Sequence, residues 1–240
     1  MNISYPLYCW YCYSTSAIVL SFIFFTSKQI YRLNEKQRSW ILTLVTSLVC
    51  SIVSLPSMVR FCLSGFDMYW LYQNGPKDIA LVCFFQTYLI LDLYLGYHYY
   101  RARISWLTGW AHHCFYLGFL TYLLAYRQSS FFVVAAILEV PTFILALGSV
   151  NPAWRSDRLF GLTFFALRLV FHACMIRVLK HHHHNRTIWY VALLVLPMHI
   201  YWFYGIVLTN VRKYRTKRQE SIPILHGNCV QPPSKFVICA

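Results

Sequence analysis

Seven apolar stretches run through the chain, at 8–27, 39–63, 79–100, 104–125, 130–149, 159–179 and 188–210. Each comes near the ~20 residues a helix needs to cross the hydrocarbon core. This pattern constrains the fold more than any other feature. In lipid every backbone N–H and C=O needs a partner within the protein, which leaves helices or a closed barrel, and stretches of this length are helical. Composition agrees: 58% of the 240 residues are hydrophobic and 12% are charged, against roughly 25% charged in a soluble domain. Mean hydropathy is +0.48. A soluble globule, a disordered chain and a fibre are excluded. The expected fold is an all-α membrane protein of about seven transmembrane helices. The loops are short, so no soluble domain is inserted.

Charge is scarce and lopsided: 21 Lys+Arg against 7 Asp+Glu, net +14. On a soluble protein this would suggest nucleic acid. Here the cations lie between apolar stretches, where they report orientation instead, and no nucleic acid is expected. One set of alternate loops and the tail holds Lys28, Arg32, Lys36, Arg38, Arg101, Arg103, Arg155, Arg158, Arg212, Lys213, Arg215, Lys217, Arg218 and Lys235. The other side holds Lys77, Arg127, Lys180 and Arg186. Cationic loops stay cytosolic, so the N-terminus is expected in the lumen and the C-terminus in the cytosol. Protease added outside sealed microsomes should therefore remove a C-terminal tag; a protected tag would reverse the assignment. The first stretch has no basic residue ahead of it and reads as a retained anchor helix.

An ionisable side chain at the centre of a membrane helix costs about 2.5–3.5 kcal/mol on insertion scales. Five successive stretches carry at least one: Asp92, with Gly96 and His98 further on; the pair His112-His113; Glu139, close to Pro141; Arg168 and His172; and His199, close to Pro197. These groups are expected to face the bundle interior and satisfy one another around a polar cavity. The competing reading is a set of bonds that only lock helices together, at ~0.6 kcal/mol each. Pro141 removes the usual donor to the carbonyl of Ile137, and Pro197 that to Leu193. Adjacent histidines point about 100° apart on a helix, so one of the pair can face the cavity while the other braces a neighbour. Asp92 and Glu139 are the natural acceptors for an imidazole that acts as a base. Adjacent histidines lack the i, i+4 spacing of a helical metal pair, and neither a metal nor a bound cofactor is expected.

The remaining features are simpler. His181–His184 reads as a solvated loop. Trp202 and the other aromatics near span ends read as interfacial or lipid-facing. Cys9 and Cys12 sit near the lipid boundary. The sequons Asn2-Ile3-Ser4 and Asn185-Arg186-Thr187 lie too close to the membrane for use. The basic cluster 212–218 enforces topology, and the polar, proline-containing tail from about 216 is expected to be disordered.

Several of these motifs, in this order, resemble the TLC-domain family of endoplasmic-reticulum membrane proteins. They are Glu35-Lys36-Gln37-Arg38-Ser39-Trp40, Tyr88-Leu89-Ile90-Leu91-Asp92, Trp110-Ala111-His112-His113 and Ile137-Leu138-Glu139. An aromatic-rich last helix with a basic tail completes the likeness. It covers residues 35–215, leaving an anchor segment (1–34) and a cytosolic tail (216–240) outside. The resemblance implies a six-helix bundle around a lipid-accessible cavity, with one helix ahead of it. In the ceramide-synthase branch the matching histidines serve acyl transfer from acyl-CoA to a sphingoid amine, which would make His112 or His113 base or acyl acceptor, with Asp92 and Glu139 beside them. That branch also carries a His-Asp-x-x-Asp segment before the glutamate. Here 114–138 contains no His, Asp or Glu, and the places read Phe131, Phe132 and Ala135. The resemblance therefore implies a non-synthase branch: a protein of sphingolipid or phospholipid homeostasis that binds or senses a membrane lipid among Asp92, His112, His113, Glu139, Arg168, His172 and His199. An N-acyltransferase using acyl-CoA is the second expectation and a cargo receptor the third. A homo-oligomer is compatible with each.

Overall fold

The computed structural model describes residues 4–31 and 33–220. Asn2, Arg32, Lys235 and the tail from 221 onward lie outside the described residues. Among the described residues there is no strand. The helices are α1 (Tyr5–Tyr31), α2 (Glu35–Arg38), α3 (Ile41–Leu63), α4 (Pro76–Tyr99), α5 (His112–Ala125), α6 (Ser129–Ala135), α7 (Val140–Val150), α8 (Asp157–Thr163), α9 (His172–His182) and α10 (Arg186–Glu220). A 3₁₀ turn at Ala136–Glu139 joins α6 to α7, and a π-helical segment at Phe164–Phe171 joins α8 to α9.

Among the described residues, six helices are long and apolar enough to cross a membrane, rather than the seven expected. The exception is 104–125. Its first residues lie outside any helix, Trp106–Ala111 is π-helical, and α5 has 14 residues, about 21 Å of regular helix.

Local chemistry sets several boundaries. Asn34 and Gln37 form a reciprocal cap on α2: Asn34 Oδ1 accepts from Gln37 N at 2.9 Å, and Gln37 Oε1 accepts from Asn34 N at 3.1 Å. The Gln37 amide then donates to the carbonyl of Val150 at 2.8 Å, pinning α2 to the end of α7. Proline opens α4 at a position where its missing N–H has no helical partner to lose.

The centre of the bundle is α4, whose Val82, Cys83, Phe85 and Leu89 are buried. Helix α1 is fastened to it by tyrosines. Tyr8 donates to the carbonyl of Pro76 (3.1 Å) and Tyr13 to Gln86 Oε1 (2.5 Å), while Tyr5 reaches the carbonyl of Leu124 (2.9 Å). Gln86 passes the link on to Thr121 Oγ1 on α5 at 2.9 Å.

The histidine run is not wholly solvated. His181, His182 and His184 are exposed, but His183 is buried against the ring of Tyr72, with centroids 4.9 Å apart. Burial pushes the His183 imidazole below its usual range, and His184 adds to this. The fold thus favours the neutral ring. The stability this gives is fully present above the ordinary histidine range and is lost as pH falls below about 6.5. Thermal unfolding should show a low-pH loss that shrinks in His183→Gln; an unchanged pH profile would refute this. The neighbouring sequon is engaged as well: Asn185 Nδ2 donates to the Tyr122 hydroxyl at 2.6 Å.

Candidate functional site

A cavity of about 890 Å³ opens into the bundle, and Asp92, His112, His113, Glu139 and Arg168 all line it. A smaller pocket of about 80 Å³ shares Phe85 and Glu139 with it and adds His172. His199 is 2% exposed and lines neither. Five of the seven expected site residues therefore meet in the large cavity.

Asp92 and His113 form its first polar pair. His113 Nδ1 lies 2.9 Å from the carbonyl of Gly109. A carbonyl can only accept, so Nδ1 carries the proton. In a neutral ring Nε2 is then an acceptor, yet it lies 3.2 Å from Asp92 Oδ2. The other carboxylate oxygen accepts from the Tyr100 hydroxyl at 2.9 Å. His113 Nε2 makes no hydrogen bond among the described residues, so Asp92 Oδ2 stands beside it as a close polar neighbour on the cavity wall.

Glu139 pairs with a guanidinium rather than with an imidazole. Arg168 Nη2 lies 3.4 Å from Glu139 Oε1 and 2.7 Å from Thr142 Oγ1, while its Nε donates to the carbonyl of Leu138 at 2.9 Å. The carbonyl of Ile137, expected to be stranded by Pro141, accepts from Val140 N–H instead, because the chain tightens to 3₁₀ there. Trp202, expected at the lipid surface, packs inward: Arg168 stands 5.7 Å from its ring centre and His112 5.6 Å.

His172 and His199, expected in the cavity, face one another with Nδ1 atoms 3.0 Å apart. His199 Nδ1 is also 3.2 Å from the carbonyl of Arg168, so it is the donor and His172 Nδ1 accepts. The geometry is that of a neutral interhelical lock. His112 Nδ1, like His113 Nε2, is buried with no hydrogen-bond partner among the described residues, and both residues line the large cavity.

The polar groups sit at irregular places in their helices. The π-helical segment Trp106–Ala111 ends at His112-His113, the second one carries Arg168 and leads into His172, and the 3₁₀ turn ends at Glu139. Such pieces re-aim side chains that a regular helix would point elsewhere. Close packing fixes the first of them. A Cβ on Gly109 would lie 2.3 Å from Ile104 Cγ2, and one on Gly96 2.0 Å from Ile104 Cδ1, so Ile104 is wedged between two glycines. Gly109→Ala should cost about 1–3 kcal/mol by overpacking, read as thermal unfolding. Ile104→Ala in the same chain should recover most of it; no recovery would show that the wedge is not the cause.

Tyr100, Thr142 and Trp202 were not apparent from sequence as site residues. Tyr100 follows Asp92 by eight residues, near two helical turns, which is the one signal that could have found it. No family model, curated protein or solved structure matches the chain.

Proposed function

We propose that this chain is a TLC-type membrane protein, resident in the endoplasmic reticulum, that serves sphingolipid or phospholipid homeostasis by binding or sensing a lipid in its intramembrane cavity. One observation supports this above the others: the cavity of about 890 Å³ is lined by the Glu139–Arg168 ion pair and by Asp92 and His113 inside an apolar bundle, and it adjoins a pocket rich in phenylalanine. That volume falls in the ~300–1,000 Å³ range of small-molecule sites, and placing charge there is costly. The test is co-purification. Lipid extracted with the parent protein should be lost from Leu145→Trp, which puts an indole into the cavity. A parent protein that leaves the membrane without bound lipid would sink the proposal.

A second reading, an acyl-CoA-dependent N-acyltransferase, draws on His112. An imidazole nitrogen without a partner, with the neighbouring His113 3.2 Å from Asp92, is what a base or acyl acceptor requires. Purified protein given acyl-CoA and a sphingoid base would turn over, and His112→Ala/His113→Ala would not. Absence of turnover in the parent removes this reading.

A further inference from the structure

The large cavity reaches a rim at one end of the bundle, where Lys36, Arg103, Arg155 and Asp157 line it together with the deep residues. These groups share that end for structural reasons. Gln37 ties α2 to Val150, Arg103 lies 3.8 Å from Glu35, and a Cβ on Gly148 of α7 would touch Arg155 at 3.0 Å. Asp157 binds Arg155 at 2.9 Å and also pairs with Lys213. The rim thus gathers Lys36, Arg103, Arg155 and Lys213 against Glu35 and Asp157, an excess of positive charge. Below it come the Asp92–His113 and Glu139–Arg168 pairs. Below those, Phe85 and Glu139 adjoin the second pocket, lined by Phe119, Phe131 and Phe132.

Cationic loops alone would be explained by topology. Three of these cations, however, line the same cavity as the deep pairs. Glu35 and Asp157 offset part of that charge, but a neutral lipid would leave the excess unmatched, and a free phosphate would leave the phenylalanines unmatched. An amphiphile with an anionic head matches both ends. About 890 Å³ lies within the ~300–1,000 Å³ of cavities that enclose one small ligand, and one acyl chain with its head is such an occupant.

We propose that the cavity takes a single-chain lipid whose head carries a phosphate. Lys36, Arg103 and Arg155 hold the phosphate at the rim, and the chain runs past Asp92 and Glu139 toward the phenylalanine-lined pocket. The proposal rests on the lipid-binding reading above and names the headgroup that reading leaves open.

The full chain in detergent would be titrated with oleoyl lysophosphatidate, with mono-oleoylglycerol and with inorganic phosphate, bound ligand being counted by native mass spectrometry. The phosphate lipid should bind about thirtyfold more tightly than the glyceride, from the attraction of two or more cations near a membrane surface. Ionic strength near 0.5 M should weaken the phosphate lipid alone. In Lys36→Ala/Arg103→Ala, two exposed positions, the preference should fall by about tenfold or more. Equal binding of both lipids to the parent protein overturns the phosphate assignment and leaves the lipid cavity standing. Binding of neither overturns both. Displacement of the lipid by inorganic phosphate at equal concentration assigns the rim to soluble phosphate and overturns the lipid head. The selectivity of the parent protein carries the test even where the double variant fails to fold.

Discussion

Arg168→Leu should destabilise the protein by about 3–5 kcal/mol, the cost of breaking a buried ion pair from one side. Arg168 is 8% exposed and satisfies three groups on the neighbouring helix at once: the Glu139 carboxylate, the Thr142 hydroxyl and the Leu138 carbonyl. Leucine fills part of the space but leaves the Glu139 carboxyl without its partner beside an apolar pocket. The double replacement Arg168→Leu/Glu139→Leu should recover most of the loss, because a buried pair exchanged for apolar side chains is often neutral or better. Thermal unfolding of the three proteins in one detergent reads this directly. If the single variant unfolds with the parent, the pair is not part of what holds α7 to the π-helical segment. If the double variant is no better than the single one, the Thr142 and Leu138 bonds matter more than the charge.

Asp92 should separate structure from chemistry. Asp92→Ala strands the Tyr100 hydroxyl and His113 Nε2 together, and two buried polar groups left unpaired should cost about 3 kcal/mol. Asp92→Asn should cost less than about 1 kcal/mol. The amide oxygen still accepts from Tyr100, and its N–H₂ supplies the proton that His113 Nε2 lacks in the Nδ1–H tautomer fixed by Gly109. The asparagine variant thus keeps the fold while removing the carboxylate that could take up a proton. A lipid binder should retain its lipid in Asp92→Asn, whereas an acyltransferase should lose turnover. An asparagine variant as unstable as alanine would show that the tautomer assignment is wrong.

The sequence shows the helical class through the lengths of its apolar stretches, and it shows which polar residues matter through the cost of placing them in lipid. Asp92, His113, Glu139 and Arg168 were legible for that reason. Their pairing was not. Glu139 looked like a partner for histidine and took Arg168 instead, because the 3₁₀ turn ahead of Pro141 presents the Leu138 carbonyl and Glu139 together. The π-helical segments have no signature in apolar periodicity, so the shortening of α5 could not be read in advance. The rim was visible only as a count of cations. Its sharing of one cavity with the deep pairs depends on Gln37 and Gly148, residues whose role appears only once α2 and the 151–157 turn have docked.

The tyrosine fastening of α1 also bears on the order of assembly. Tyr13 meets Gln86 73 residues later in the chain, and Tyr5 meets the carbonyl of Leu124 119 residues later. At ~5–20 residues per second of synthesis, α1 enters the bilayer and then waits about 6–24 s before its last acceptor exists. Until Pro76 and Gln86 are made the Tyr8 and Tyr13 hydroxyls have no acceptor on α4, and the Tyr5 hydroxyl waits longer, for Leu124. Helix α1 is thus fastened only after α4 and α5 have followed it. Slowed translation between residues 31 and 124 should lengthen the exposure of α1 to membrane quality control, whereas a pause after Ala125 should not.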